Sequence, residues 1–346
     1  MKGTSVVTLF WRRVAAKALL TAAAIFSLLS PAAEPASNHN SGPNPAGTVA
    51  GPNPTCSNVS YGPDSKNVLD FWKAPSDKPT PLVVFIHGGG FSAGDKSEVL
   101  RNGDVVTPRL KDGISFATIN YRLVGKAVLP DIMRDCARAV QFLRSKDKEW
   151  NIDKSRLAVY GTSAGAGASL WLAFHQDVAD PKSADPVLRE SMRPVVVGAL
   201  STQSTYDIRQ WESIIGPFEG QLPERLRLGF FHFKSRDDEE TSDGRRMRAD
   251  VDIIHLMSKD SAPFFAFTPA KVEPAKNPPA YIHHPNHALA LEKRAKQVGL
   301  ECAVFVKDSP VPDGLTANQF MWRFFYDYLG IRKAPTSSAG ASEAGR

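Results

Sequence analysis

Tyr160-Gly161-Thr162-Ser163-Ala164-Gly165 is the stretch on which the fold turns. It is a G-x-S-x-G pentapeptide between the apolar run Leu157-Ala158-Val159-Tyr160 and a small-residue segment that continues through Leu170, Trp171, Leu172 and Phe174. The run predicts a short buried strand, and the segment a helix over Ala164 to His175. A strand that passes into a helix through one strained serine exposes that serine as a nucleophile. Glycines at 161 and 165 let the backbone turn sharply, and the helix N-terminus favours negative charge developing beside Ser163. The competing reading of the pentapeptide is an ordinary tight turn.

Upstream, the apolar run Pro81-Leu82-Val83-Val84-Phe85-Ile86 ends in His87-Gly88-Gly89-Gly90-Phe91. Ester hydrolysis places negative charge on a carbonyl oxygen, and bare glycine backbone can bring N–H groups to that oxygen at close range. Gly88, Gly89 and Ala164, the residue after the nucleophile, are therefore the expected oxyanion donors. A glycine-rich turn with no ligand is the alternative. A phosphate loop ranks lower, because no Lys follows at Walker spacing and no G-x-G-x-x-G is present.

On these residues the chain resembles the α/β-hydrolases of the hormone-sensitive-lipase and bacterial carboxylesterase type. The likeness continues through Asp135-Cys136-Ala137-Arg138-Ala139-Val140-Gln141-Phe142-Leu143-Arg144, then Trp150-Asn151-Ile152-Asp153, then Arg156 to Gly161, and covers Tyr61 to Leu329. Two departures are Thr162, where many relatives carry Asp or Glu, and Ala166, where many carry Gly; neither removes a catalytic atom. The resemblance implies an α/β fold of the α/β-hydrolase kind: a mostly parallel central sheet, helices on both faces and a cap insertion. It also implies a serine carboxylic-ester hydrolase working through an acyl-enzyme on Ser163, without cofactor or metal.

The alternation of apolar runs with helical periodicity points to the same architecture. Strands are expected at Val68 to Trp72, as a possible antiparallel edge, and at Leu82 to Ile86, Ser115 to Tyr121, Leu157 to Tyr160, Val195 to Leu200, Pro263 to Thr268 and Cys302 to Val306. Helices are expected near Glu98 to Leu110, Asp131 to Lys146, Ala164 to His175, Ala288 to Val298 and Ala317 to Tyr328. Between Ser204 and Asp260 the alternation breaks, and 204–262 is expected to be a cap-like insertion. Its Trp211, Phe218, Leu222, Leu226, Phe230, Phe231 and Phe233 either wall a substrate pocket or pack the insert itself.

Lys2, Arg12, Arg13 and Lys17 precede an apolar run from Ala18 to Leu29 and then Ser30-Pro31-Ala32-Ala33, so 1–33 reads as a secretory signal or a retained anchor. Residues 34–55 read as a disordered linker, 56–333 as the hydrolase domain and 334–346 as a disordered tail. The expected location is secreted or periplasmic, membrane-anchored only if the first segment is kept.

The formal charge is +6, but four of the 42 basic residues and none of the 36 acidic ones fall in the first 33 positions. What remains is close to neutral. Arg245, Arg246 and Arg248 follow Asp237-Asp238-Glu239-Glu240, a compensated loop rather than a nucleic-acid surface. Three cysteines cannot close a disulfide set, and no pair has zinc spacing. Cys136 and Cys302 are expected as reduced core residues.

The base is the difficulty. The resemblance implies a histidine in the loop after the last strand, yet Lys307 to Gly314 holds none and no histidine follows His287. The acid slot after Thr268 holds no aspartate; Glu273 is the nearest carboxylate. His283, His284 and His287 cluster in that region instead. A base from this cluster, oriented by Asp308, Asp313 or Glu273, would exchange roles between loops. His287 is the preferred member, since a helix N-terminus disfavours imidazolium. Alternatively these are surface and cap histidines, and the chain is a non-catalytic or strongly impaired hydrolase-fold binding protein. His283 and His287 stand four apart, but without the Glu of H-E-x-x-H they make a poor metal motif. His87 reads as a structural residue of the glycine loop, and the other histidines as packing or surface residues.

Overall fold

The computed structural model describes residues 51–101 and 103–331. The 1–33 segment and the 334–346 tail lie outside them, as does most of 34–55. Of that stretch the last residues are held in place: the Pro52 carbonyl accepts the Trp72 indole N–H at 2.7 Å and Thr55 Oγ1 accepts the Lys73 N–H at 2.9 Å.

Eight strands form one sheet: β1 (Cys56–Ser60), β2 (Val68–Trp72), β3 (Thr80–Ile86), β4 (Ser115–Ile119), β5 (Ile152–Thr162), β6 (Val196–Leu200), β7 (Phe264–Thr268) and β8 (Cys302–Val306). Their order is β1-β2-β4-β3-β5-β6-β7-β8. β2 runs antiparallel to β1 and β4, and every other pairing is parallel. Parallel strands buried on both faces have no polar side, which is why β3 reads as an unbroken apolar run. Leu82, Val84 and Ile86 enter one core; Val83 and Phe85 enter the other.

The helices that bear on the argument are α1 (Val106–Lys111), α2 (Leu129–Ser145), α3 (Ala164–Phe174), α4 (Ser242–Asp250), α5 (Pro278–Ile282), α6 (Asn286–Val298) and α7 (Ala317–Tyr328). Residues of α2, α3 and α6 fill the first core, those of α1 and α7 the second. This is the α/β-hydrolase fold. Among the described residues no helix is long and apolar enough to cross a membrane.

Three differences from the sequence expectations have local causes. β1 has no alternating pattern in the sequence, because a register shift between Cys56 and Val59, with Asn58 at φ 53°, interrupts it. The single helix expected from Glu98 to Leu110 is two pieces, a 3-10 turn at Lys96–Leu100 and then α1. Gly103 at φ 103° breaks them apart, and Asp104 Oδ1 accepts the N–H groups of Val106 and Thr107 that begin the second. α5 is an additional helix, and Asn277 followed by Pro278 is its start: the Asn277 side chain accepts the Ala280 N–H at 2.9 Å.

Residues 204–262 hold several short helical turns and α4. Their aromatics pack inward: Phe230 meets Phe91 and Tyr206, Phe231 stacks on Phe233, and Trp211 stands edge-on to His287. The arginine run lies on α4 rather than in a loop. Arg246 pairs with Asp243 at 3.1 Å, and Arg248 is buried against Asp207 at 2.8 Å. Cys136 is buried in α2 and Cys302 half-buried in β8, both as free thiols, as is Cys56.

Candidate active site

β5 delivers Ser163 to the sheet edge at φ 54°, ψ −117°, a conformation that costs a non-glycine residue on the order of 1–3 kcal/mol. The surroundings over-determine it. The Ser163 N–H donates to the Leu200 carbonyl at 2.8 Å, and α3 starts at the next residue. The flanking glycines are forced by space: a Cβ on Gly161 would lie 2.4 Å from Gly165 carbonyl atoms, and one on Gly165 would lie 2.0 Å from the Ile86 carbonyl oxygen. Without them α3 could not close on β3. The result leaves Ser163 half-buried and Thr162 exposed.

The glycine loop packs against this elbow, a Cβ built on Gly88 falling 2.9 Å from the Thr162 carbonyl oxygen and 3.6 Å from Ser163 Cβ. Gly89 and Gly90 take φ 98° and 60°, values that glycine alone adopts without strain. The Gly89 carbonyl accepts the N–H groups of Ser92 and Ala93 and so closes the turn. The N–H groups of Gly88, Gly89 and Ala164 donate to no acceptor among the described residues.

His87 organises the loop from beneath. It is buried, stacks on Tyr121 at 4.3 Å, and its Nδ1 lies 2.8 Å from the Gly88 carbonyl oxygen. The Tyr121 hydroxyl donates to the His87 carbonyl at 2.9 Å. Burial pushes the His87 imidazole below its usual range, so it is neutral at pH 7.

Of the three clustered histidines it is His283 that reaches the serine, with Nε2 2.8 Å from Ser163 Oγ. It caps the C-terminus of α5, and its Nδ1 faces the Pro279 carbonyl oxygen of its own turn at 3.1 Å. Nδ1 therefore carries the proton and Nε2 is the acceptor. Burial lowers the His283 pKa, with the Pro279 hydrogen bond acting the other way.

His287, preferred from the sequence, is placed elsewhere. Its Nδ1 accepts from the backbone N–H of Ser204 at 3.2 Å and from the Ser204 hydroxyl at 3.0 Å, and its ring is fully buried. It is indeed neutral, its pKa pushed down to about 3, but burial is the leading cause. As a residue of the first turn of α6 it points inward, whereas His283 precedes that helix. The Ser204–His287 pair has no exposed atom through which an ester could arrive. His284 is also turned away, its Nε2 2.9 Å from the Glu273 carbonyl oxygen.

None of the three carboxylates considered as orienting acids is brought to His283. Asp308 pairs with Lys271 at 3.3 Å, Asp313 pairs with Arg323, and the Glu273 side chain is exposed. A backbone carbonyl occupies the position where an acid was sought, and no residue type signals that in a sequence. Among the described residues no group of three or more His, Cys, Asp or Glu could hold a metal.

The comparisons with known proteins bear on the fold rather than on the individual site residues. Residues 69–213 match the family model described as BD-FAE. The probable isoprenylcysteine alpha-carbonyl methylesterase ICMEL1 of Oryza sativa subsp. japonica is 29% identical over 133 residues, 38% of this chain and 30% of that protein. Esterase LipC of Mycobacterium tuberculosis is 25% identical over 210 residues, 60% of this chain and 48% of its own. The chain thus spans less than half the length of either relative. Among solved structures, a truncated form of carbohydrate esterase from gut microbiota superposes with TM-score 0.61 at 17% identity, covering 80% of this chain and 96% of that one. An acetyl ester-xyloside bifunctional hydrolase from Caldicellulosiruptor lactoaceticus follows with TM-score 0.56 at 19% identity, over 76% and 88%. At these identities the structural likeness is one of fold. Over the matched regions the chain is similar to esterases, and the fold it shares with the solved structures is that of the α/β-hydrolases.

Proposed function

We propose that this α/β-hydrolase chain is a serine esterase for small acyl or aryl esters, with polysaccharide-linked acetyl esters the first natural substrates to test. One observation carries the proposal: Ser163 Oγ on its strained turn lies 2.8 Å from a neutral imidazole nitrogen of His283. In the first half-reaction His283 Nε2 takes the hydroxyl proton as Ser163 Oγ adds to the ester carbonyl carbon. The oxygen that becomes negative is received by the N–H groups of Gly88, Gly89 and Ala164. As the tetrahedral species collapses, the imidazolium gives its proton to the leaving alkoxide, the alcohol departs, and the acyl group stays on Ser163. Water then adds with His283 as base, and the carboxylic acid leaves with Ser163 restored.

The carbohydrate esterases of like fold and the half-buried, accessible position of Ser163 support the ester class. Secretion is part of the proposal and rests on the character of residues 1–33. A second reading, a strongly impaired hydrolase-fold binding protein, is favoured by one feature: the Pro279 carbonyl, not a carboxylate, faces His283 Nδ1. Loss of the carboxylate from a serine triad costs roughly 10⁴ in rate where it also frees the wrong tautomer. Here the carbonyl holds the right tautomer, so only the charge stabilisation is forgone and a slower enzyme is expected.

Intact-protein mass spectrometry after brief fluorophosphonate exposure tests this. Wild type should gain one adduct rapidly, Ser163→Ala none, and His283→Ala should label orders of magnitude more slowly. An unlabelled, well-folded wild type would overturn the esterase reading.

A further inference from the structure

We propose that Gln203 is a positioning residue that registers the His283 ring on Ser163, acting from the loop that leaves β6. The proposal rests on the reading of His283 as the base. α5 has five residues, too few to be stable alone, so its place is set by what holds it from outside. The bond from His283 Nδ1 to the Pro279 carbonyl fixes the ring within its own turn. It leaves open where that turn stands relative to a serine 120 positions earlier in the chain.

Gln203 supplies that reference. Its Nε2 donates at 3.0 Å to the carbonyl of Ile282, the peptide joined directly to His283, and at 3.4 Å to the carbonyl of Ser201. Its Oε1 accepts the Tyr206 hydroxyl at 3.2 Å. Two carbonyls on one side and a hydroxyl on the other admit a single orientation of the amide. The loop that carries Gln203 is itself tied to the nucleophile. The Leu200 carbonyl takes the Ser163 N–H at 2.8 Å, and Ser201, at φ 54°, donates its N–H to the Phe267 carbonyl at 2.8 Å. Four consecutive residues, Leu200 to Gln203, thus hold Ser163 at one end and the His283 peptide at the other. Gln203 is only 3% exposed, where burying an amide with its polar groups unpaired would be costly. An apolar side chain would fill the same space without setting the distance between the two loops. A displacement of about 1 Å at a reacting pair costs up to about 10²-fold.

The test uses the full chain, fluorophosphonate labelling and p-nitrophenyl acetate hydrolysis. Gln203→Met keeps the volume and removes both hydrogen-bond ends. We expect labelling rate and kcat to fall about 10- to 100-fold with KM little changed, together with a lower melting temperature, because the buried Tyr206 hydroxyl and the Ile282 carbonyl lose their partner. A packing role alone would lower the melting temperature but leave the labelling rate of the folded protein intact. Should Gln203→Met fail to fold, Tyr206→Phe keeps the ring and frees the amide, and we expect a labelling loss of about 3- to 10-fold. Wild-type labelling in whichever variant folds, with His283→Ala slow, overturns the role of Gln203 and leaves the base standing. Fast labelling of His283→Ala overturns the reading beneath it.

Discussion

His283 and His287 divide between them what was expected of one residue. Neutrality was the ground for choosing His287, and the ring is neutral, yet it spends its acceptor on Ser204 inside the core. His283 has the acceptor nitrogen in the right place. Its burial has a measurable sign. A base must be unprotonated, and burial lowers the His283 pKa below the usual 6.5. The acidic limb of kcat/KM should therefore have its midpoint below pH 6.5, with activity lost only as the pH falls past that point. A midpoint at or above 6.5 in a pH–rate profile would rule out a desolvated His283 as the titrating group. At this scale Ser163, Gly88, Gly89 and Ala164 were legible because a short motif fixes their backbone. The choice among three histidines was not, because it depends on which way a five-residue helix turns the chain between Thr268 and α6.

Secondary elements read well where their pattern repeats and poorly where one residue interrupts it. β2, β8 and α7 fall where the apolar spacing puts them, while β1 was hidden by a bulge and α5 by its shortness. The close approach of α3 to β3 gives a prediction of its own. In Gly165→Ala the new methyl group meets two backbone oxygens, of Ile86 at 2.0 Å and of His87 at 2.6 Å, neither of which can rotate aside. Urea denaturation should show a loss of roughly 2–4 kcal/mol, and labelling of Ser163 should drop as the elbow shifts. Retention of both stability and labelling would mean that strand and helix are less tightly closed than these distances require.

The whole molecule carries its acid sensitivity inside. His287 titrates near 6.5 when unfolded but only at about 3 when folded, so between those values the unfolded chain binds more protons. Stability is then full above about pH 6.5 and falls as the pH drops toward 3, by as much as roughly 4 kcal/mol from this group. The buried His87 and the half-buried His283, lowered for the same reason, add in the same direction. Urea midpoints between pH 7 and 4 should fall steeply in wild type and less steeply in His287→Asn, whose side chain does not titrate. Equal slopes would place the sensitivity elsewhere. The sheet was readable from the alternation of apolar runs. Residues 204–262 were readable only as a break in that alternation, since short irregular turns have no period.

The anchoring of α5 has a consequence for how this protein could be changed. Tyr281, two residues before His283, stacks on Phe218 at 4.6 Å and donates its hydroxyl to the Gly216 carbonyl at 3.0 Å. Both partners belong to residues 204–262. That stretch therefore also steadies the helix that carries the candidate base, His283. Exchanging residues 204–262 for a foreign segment would unseat His283 unless the contacts of Gly216 and Phe218 with Tyr281 were rebuilt with it.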